Sequence, residues 1–379
     1  MQPSSVNTHD DGNLFDGFLP GRNFCIQDEW LRKSMIASPR VEVVSPGRIH
    51  FSLFDYNHMR PPLPGGGGIG ISTGAFTNNV VLQSGIKGSG IDHLPPAAQH
   101  IFMLFKALLG VEQDDISVAV KNKMPYSHCG YGSNVTLNTS IFWGLNAMFN
   151  YPFTREEAFT ILTHNYIEST DDKMVHWGFD TGVGEAVLLF GGFVLIDERC
   201  RFVSSISVPE LYTVIAKGKM ASLACEDYIS RGLVENGETG SVEAQINEEI
   251  GMVHQREYGK LLKAFLYEEL IPVFEANDYE GLRRQIWKLN DLGTFKRMQI
   301  SYKREVMLGF EEAAQSKGAI YCGISSTGPS MFGIMDNAAN AGEFKKEIQE
   351  TFSEYFEYPA IGPAGQALTV SVSPAGENY

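Results

Sequence analysis

Residues 125–134 read PYSHCGYGSN, and an apolar-striped helix is predicted directly after them. Gly130 and Gly132 flank a single residue, Tyr131. Glycine lets backbone approach a bound group closely. The first N–H groups of a helix have no intrahelical partner, and the helix dipole favours negative charge there. A glycine turn that opens a helix is therefore a place for a phosphate. Ser133 and Asn134 stand where side chains cap the helix, or reach a phosphate or a hydrated Mg²⁺. A plain N-cap turn uses the same residues, so the stretch decides the fold only in company.

Its company lies far off in the chain. Upstream, GRIHFSLFDYNHMRPPLPGGGGIGIS spans 47–72. Ile49, Phe51 and Leu53 alternate with His50 and Ser52, as in a strand. Asp55 follows, just before four consecutive glycines; a solvated turn is the common place for such a residue. Downstream, GISSTGPSMFG spans 323–333 and sets Ser325, Ser326 and Thr327 before Gly328-Pro329. That is good β-turn chemistry, and equally a tight loop whose N–H groups and hydroxyls face a ligand.

The chain has 379 residues, 43% hydrophobic and 20% charged, which is globular composition with length for two domains. A formal net charge of -15 speaks against non-specific binding to nucleic acid or to an anionic membrane. The five cysteines are odd in number and widely spaced, with no CxxC, which argues against a disulfide framework or zinc knuckle and points to the cytoplasm. No apolar run of about 18 residues is present, so no membrane partner is expected. Residues 1–40 lack the pattern of a secretory signal and read as an appended arm. Its Phe15, Phe18, Phe24 and Trp30 suggest packing, in a homodimer against a partner subunit.

Patterning predicts a hairpin of Val41–Ser45 and Ile49–Phe54 through Pro46-Gly47, then a strand at Asn79–Leu82. Helices are predicted at Pro95–Leu109 and Val135–Phe149, with a strand at Ile116–Val120 between them. Thr154-x-x-Glu157 is a capping box opening a helix over 155–166. Ala186–Asp197 is almost wholly apolar and reads as a buried hairpin or bent strand. Helices follow at 243–273, 279–289 and 302–315, strands at 319–324 and 331–335, a helix at 342–356 and a strand at 368–372. That half suggests a helix-backed antiparallel sheet.

In order and spacing over about residues 41–375, three elements resemble the motifs of the GHMP superfamily of small-molecule kinases. They are Pro46-Gly47-Arg48 followed by Asp55-Tyr56, Gly130-Tyr131-Gly132-Ser133-Asn134, and the turn Ser325–Pro329. GRIHFSLFD, GGGGIGIS, HCGYGSN, TGVGEAVLLFGGFVLID and GISSTGPSMFGI further resemble the branch of β-ribofuranosylaminobenzene 5'-phosphate synthase and C-nucleoside synthases. The shared residues include Arg48, His50, Asp55, Gly182, Gly184, Ser325, Ser326 and Gly328. The resemblance implies a two-domain α+β, GHMP-kinase-like fold. Its parts would be the arm 1–40, a ribosomal S5 domain 2-like domain over 41–205 and a ferredoxin-like domain over 206–379, with the site between the domains.

The activity implied is a phosphoribosyl transfer. C1 of 5-phosphoribosyl diphosphate would be joined to a ring carbon of a small aromatic carboxylate, with loss of CO₂ and pyrophosphate. The departing pyrophosphate needs positive potential, implied from the N–H groups at Gly132, Ser133 and Asn134, from Arg48, and from a Mg²⁺ held by Ser133 and Asn134. Asp55 would steady the cationic C1, as carboxylates do in glycosidases. His50 and His128 would hydrogen-bond phosphate or ring groups, and Lys296 and Arg297 would take the 5'-phosphate or the substrate carboxylate. Asp180, Gly130, Gly182 and the turn Ser325, Ser326, Thr327, Gly328 complete the implied site. The chain departs from the kinase pattern at Asn134, where a second serine is usual, and at Tyr131, where leucine is usual. HWGFDTGVG, with His176, Trp177 and Asp180, replaces an Arg- and Ser-rich approach. The alternative is an ATP-dependent small-molecule kinase with the 130–134 loop on ATP and Asp180 or Asp55 as base. A non-catalytic binder of a phosphorylated ligand is the third reading.

Overall fold

The computed structural model describes residues 17–85, 91–111, 115–122, 130–170, 173–226 and 250–373. His128 of the candidate site lies outside them.

Two long strands, β1 (Arg40–Ser52) and β2 (Gly68–Ser84), pair antiparallel along their length. The hairpin predicted at Pro46-Gly47 is not there. The strand runs straight through, and the register shifts instead, with Pro46 opposite Thr77 and Gly47 opposite Thr73. A proline has no N–H for the ladder, and a bulge is where a sheet tolerates it. Beyond the bulge, β2 pairs with β3 (Ile116–Asn122) at its outer end. Helices α1 (Pro96–Leu109), α2 (Ser133–Met148), α3 (Arg155–Thr163) and α4 (Val183–Phe190) belong to this domain. Val43, Leu82, Phe105, Phe142, Phe153 and Leu188 meet in its core. The capping box of α3 is present: Glu157 N donates to Thr154 Oγ1 at 3.2 Å, and Thr154 N donates to Glu157 Oε2 at 2.9 Å.

A small hairpin, β4 (Ile167–Ser169) with β5 (Val175–Trp177), precedes α4. The apolar run 186–197 is neither hairpin nor bent strand. α4 ends in it, Gly191 and Gly192 turn the chain with φ of 71° and 72°, and β6 (Phe193–Ile196) follows, paired to the inner end of β2. A wholly apolar run has no period to tell helix from strand, so only the glycine pair marked the change. β7 (Phe202–Ile206) closes that edge of the sheet.

The described part of the arm packs on the first domain, and Phe15 lies outside the described residues. Phe18 exchanges backbone hydrogen bonds with Val175 at 2.8 Å, and the rings of Phe18 and Phe24 both meet His100. The Asn165 amide holds the backbone of Cys25, and Trp30 is buried.

The second domain is a sheet of order β11-β8-β10-β9, antiparallel throughout. Its strands are β8 (Tyr212–Gly218), β9 (Tyr321–Ile324), β10 (Met331–Met335) and β11 (Phe356–Pro363). Helices cross from β8 to β9 and from β10 to β11, which is the ferredoxin-like order expected. Its helices include α5 (Met252–Ala264), α6 (Tyr279–Gln285), α7 (Thr294–Met298), α8 (Arg304–Ser316) and α9 (Ala338–Thr351). The helix predicted to reach residue 356 stops at Thr351, and Phe356 opens β11. Phe344, Phe352 and Phe356 all pack on the Phe310 ring, so the helical spacing of aromatics outlasts the helix. The last strand, β12 (Thr369–Ser373), returns to pair with β1, so the chain ends in the first domain's sheet. Phe51 of β1 stacks on Phe332 of β10 at 5.1 Å, which joins the two domains through one core. No helix among the described residues is long and apolar enough to cross a membrane.

Candidate functional site

α2 begins at Gly132, whose φ is 70°, and no side chain among the described residues caps it. Its first N–H groups therefore lack an intrahelical acceptor. Gly130, with φ of 85°, lies so close to the turn after β9 that a Cβ there would sit 2.4 Å from the Ser325 carbonyl oxygen. Ser325 Oγ donates to Gly130 O at 2.7 Å, and Arg48 Nη1 reaches the same carbonyl at 3.4 Å. Arg48 N donates to Tyr131 O at 3.0 Å, and Ser326 N donates to His50 O at 3.0 Å. The three motifs read from the sequence thus touch one another, with Ser133 and Asn134 as the first residues of the helix they open.

A pair of buried carboxyl groups stands at the start of α4. Asp180 is 8% exposed and Glu185 2%. Asp180 Oδ1 accepts from Gly182 N at 2.9 Å, and its backbone oxygen accepts from Gly65 N at 2.9 Å. Asp180 Oδ2 and Glu185 Oε2 have no hydrogen-bond partner among the described residues. Burial pushes Asp180 up from 3.8 to about 7; the Gly182 N–H and the Arg48 guanidinium pull it down, and the Glu168 charge pushes it up. Burial, then the Asp180 charge, raises Glu185 well above the carboxylate range. Burial raises both carboxyls, and the Asp180 charge raises Glu185 further, so the pair keeps a proton to higher pH than a free carboxyl would. A buried carboxylate balanced near neutrality is suited to taking a proton from a substrate.

Other residues singled out from the sequence are engaged within the protein. Asp55 caps its own turn, accepting from Asn57 N at 2.9 Å and facing His58 Nδ1 at 2.9 Å. His50 is buried edge-on to Phe295 at 4.7 Å; burial, then the Arg48 charge, holds it well below 6.5, so it is neutral. Lys296 pairs with buried Glu311, which also accepts from Gln299 Nε2 at 2.7 Å. Arg297 lies at the surface, 3.9 Å from Glu257 and over the Tyr258 ring. Thr327 O accepts from Tyr302 OH at 2.7 Å, and Gly328 holds a φ of 86°. The glycine run packs on backbone: a Cβ would meet His58 O at 2.1 Å from Gly65, Asp197 O at 2.1 Å from Gly67 and Ser52 O at 2.2 Å from Gly68.

Glu185 escaped the sequence reading because the apolar run was started one residue later, at Ala186. Its signal was a lone acid entering a helix that is otherwise apolar. No group of three or more His, Cys, Asp or Glu side chains among the described residues is arranged to hold a metal.

No protein-family profile matches the chain, and no curated protein matches it significantly. Solved structures do. A homoserine kinase from Cytophaga hutchinsonii is 16% identical, with a TM-score of 0.57 over 92% of this chain and 100% of its own. The L. major mevalonate kinase in complex with R-mevalonate is 13% identical, with a TM-score of 0.60 over 88% of this chain and 99% of its own. The Methanococcus jannaschii mevalonate kinase, 10% identical, has a TM-score of 0.54 over 86% of this chain and 98% of its own. Likeness over nearly the whole length at such identities is a likeness of fold: the chain has the two-domain α+β fold of the GHMP kinases.

Proposed function

We propose that the protein is an ATP-dependent phosphotransferase acting on a hydroxyl group of a small molecule. One observation carries this reading. A helix start framed by glycines, with no side-chain cap among the described residues, has Arg48 at its Gly130 carbonyl, and the Arg48 charge acts on Asp180, a buried carboxyl raised to about 7. The kinase identity of the structural neighbours supports the same choice. Phosphoryl transfer asks for little else than positioning, charge stabilisation and a group that orients or deprotonates the nucleophile. The N–H groups of Ser133, Asn134 and Val135 would hold phosphate oxygens. Ser133 and Asn134 would also hold a Mg²⁺, with the phosphate oxygens supplying the negative charge that these two neutral side chains lack. When bound, the ion neutralises charge developing on the transferred group. Asp180 takes the proton of the acceptor hydroxyl. Glu185 is the second buried carboxyl at the start of α4, and the Asp180 charge raises it in turn. Arg48 holds the Asp180 carboxylate available near neutral pH.

ADP formation from MgATP, with homoserine, mevalonate and other small alcohols as acceptors, tests this; no ADP formation with any acceptor overturns it. The second reading, phosphoribosyl transfer to an aromatic carboxylate, is favoured by one fact. Arg48, His50, Ser325 and Ser326, which carry that resemblance, lie in mutual contact with the glycine turn. CO₂ release from aromatic carboxylates with 5-phosphoribosyl diphosphate would decide for it.

A pH dependence follows from Asp180. The base is active when ionised, so the rate should fall as pH drops below about 7. Glu168 raises the Asp180 value, so Glu168→Gln should move that acid limb to lower pH. An unmoved limb in a kcat/KM profile would show that another group controls it.

A further inference from the structure

Tyr131 lies between the two glycines of the turn and is 1% exposed. Its side chain runs into the second domain, where its hydroxyl lies 3.1 Å from both Ala216 O and Met331 O. Those two residues face each other across β8 and β10. One hydroxyl thus ties the turn to the centre of the C-terminal sheet. Ser325, from the loop after β9, makes the second tie through Gly130 O at 2.7 Å. The turn also meets its own domain, through Arg48 N at 3.0 Å from Tyr131 O.

Gly130 and Gly132 both hold positive φ, and glycine has no strong preference that would keep them there. Something must select that conformation for the N–H groups of α2 to converge. We propose that Tyr131 and Ser325 are positioning residues that make the glycine turn part of the second domain, so that docking of the C-terminal sheet sets the anion-holding end of α2. A leucine at 131 would fill the same space and leave the sheet carbonyls without this donor. Preorganising a binding loop lowers the entropy lost on binding. By linkage, an anion that favours the ordered turn favours the docked domains by the same factor. The consequence for binding rests on the phosphotransferase reading; the tether does not.

Tyr131→Phe and Ser325→Ala each remove one tie while keeping the shape. Hydrogen exchange without any ligand reads the tether directly. The amides of Thr136, Leu137 and Asn138, the first hydrogen-bonded turn of α2, should exchange about tenfold faster in each variant, the size of one lost hydrogen bond. Amides in the middle of β1 and β2 should be unchanged. Wild-type exchange at those three amides in both variants would overturn the proposal, leaving Tyr131 as core packing. Inorganic tripolyphosphate then reads the consequence: it should raise the melting temperature of the wild type, and raise it less in both variants. If the wild type itself gains nothing from tripolyphosphate, the phosphotransferase reading falls, while the exchange result still decides the tether.

Discussion

Asp180→Asn should lower phosphoryl transfer by about 10²–10⁴-fold, the usual contribution of a general base, and should make the protein more stable at neutral pH. Asparagine has the same shape and keeps the acceptor for Gly182 N, so the start of α4 is held as before. It cannot take a proton, which removes the proposed chemistry. The stability change follows from the raised carboxyl. Its folded value of about 7 lies above the ordinary 3.8, so the stability it contributes is complete below pH 4 and is lost as pH rises through 7. That loss amounts to at most about 4 kcal/mol, since Asp180 is buried and little screened. Asparagine does not titrate and escapes it. Glu185, raised as well, changes in the same sense and is relieved of the Asp180 charge in the variant. The opposite signs on activity and stability separate a functional carboxylate from one that only packs. Melting temperatures at pH 5 and pH 8, beside the rate, check both halves. Retained activity in the variant, or a melting temperature that falls between those pH values as far in the variant as in the wild type, would contradict this role.

Gly67→Ala should destabilise the fold by about 3 kcal/mol or more, from a strained left-handed backbone added to an overpacked contact. The φ at Gly67 is 59°, and the new Cβ would lie 2.1 Å from Asp197 O and 2.5 Å from Ile196 O. Every one of these contacts is with backbone, which leaves nothing soft to give way. The neighbouring glycines carry the link to the site: Gly65 N donates to Asp180 O at 2.9 Å, and Gly66 N to Glu198 O at 2.8 Å. Displacing the run would therefore also displace Asp180 and lower activity. Gly85→Ala is the control, since Gly85 has φ of 82° but nothing within 4 Å of the added Cβ. It should cost only the backbone strain, about 1 kcal/mol. Equal losses in denaturant melts of the two variants would show that the contact with β6 does not matter.

Much of the architecture was legible wherever a local rule has a physical cause. The capping box at Thr154 announced α3, Gly132 announced α2, and alternating helices and short strands announced the helix-backed antiparallel sheet, whose ferredoxin-like order only the family resemblance implied. Legibility failed where tertiary contact overrode local pattern. Pro46 reads as a turn, yet β2 pairs with β1 on both sides of it and the break becomes a bulge. The bare backbone at 65–68 reads as room for a ligand and is filled by His58, Asp197 and Ser52. At the candidate site, the glycine turn and the Ser325 turn were legible as contiguous turn chemistry, while Arg48 entered only through the family resemblance. Asp55 and Lys296 are chemically apt but are engaged by His58 and Glu311, partners that no spacing rule reveals. Glu185 and the tie made by Tyr131 depend on burial and on which sheet lies opposite, and neither is written in the local sequence.

The central claim is that the start of α2 binds the phosphates of a nucleotide for transfer. Calorimetric titration of the protein with ATP and, separately, with 5-phosphoribosyl diphosphate, both with Mg²⁺, tests it most directly. Saturable binding of ATP, weakened by Tyr131→Phe and abolished by chelating the metal, is the expected result. Binding of 5-phosphoribosyl diphosphate with none of ATP would contradict the phosphotransferase reading and give the site to phosphoribosyl transfer.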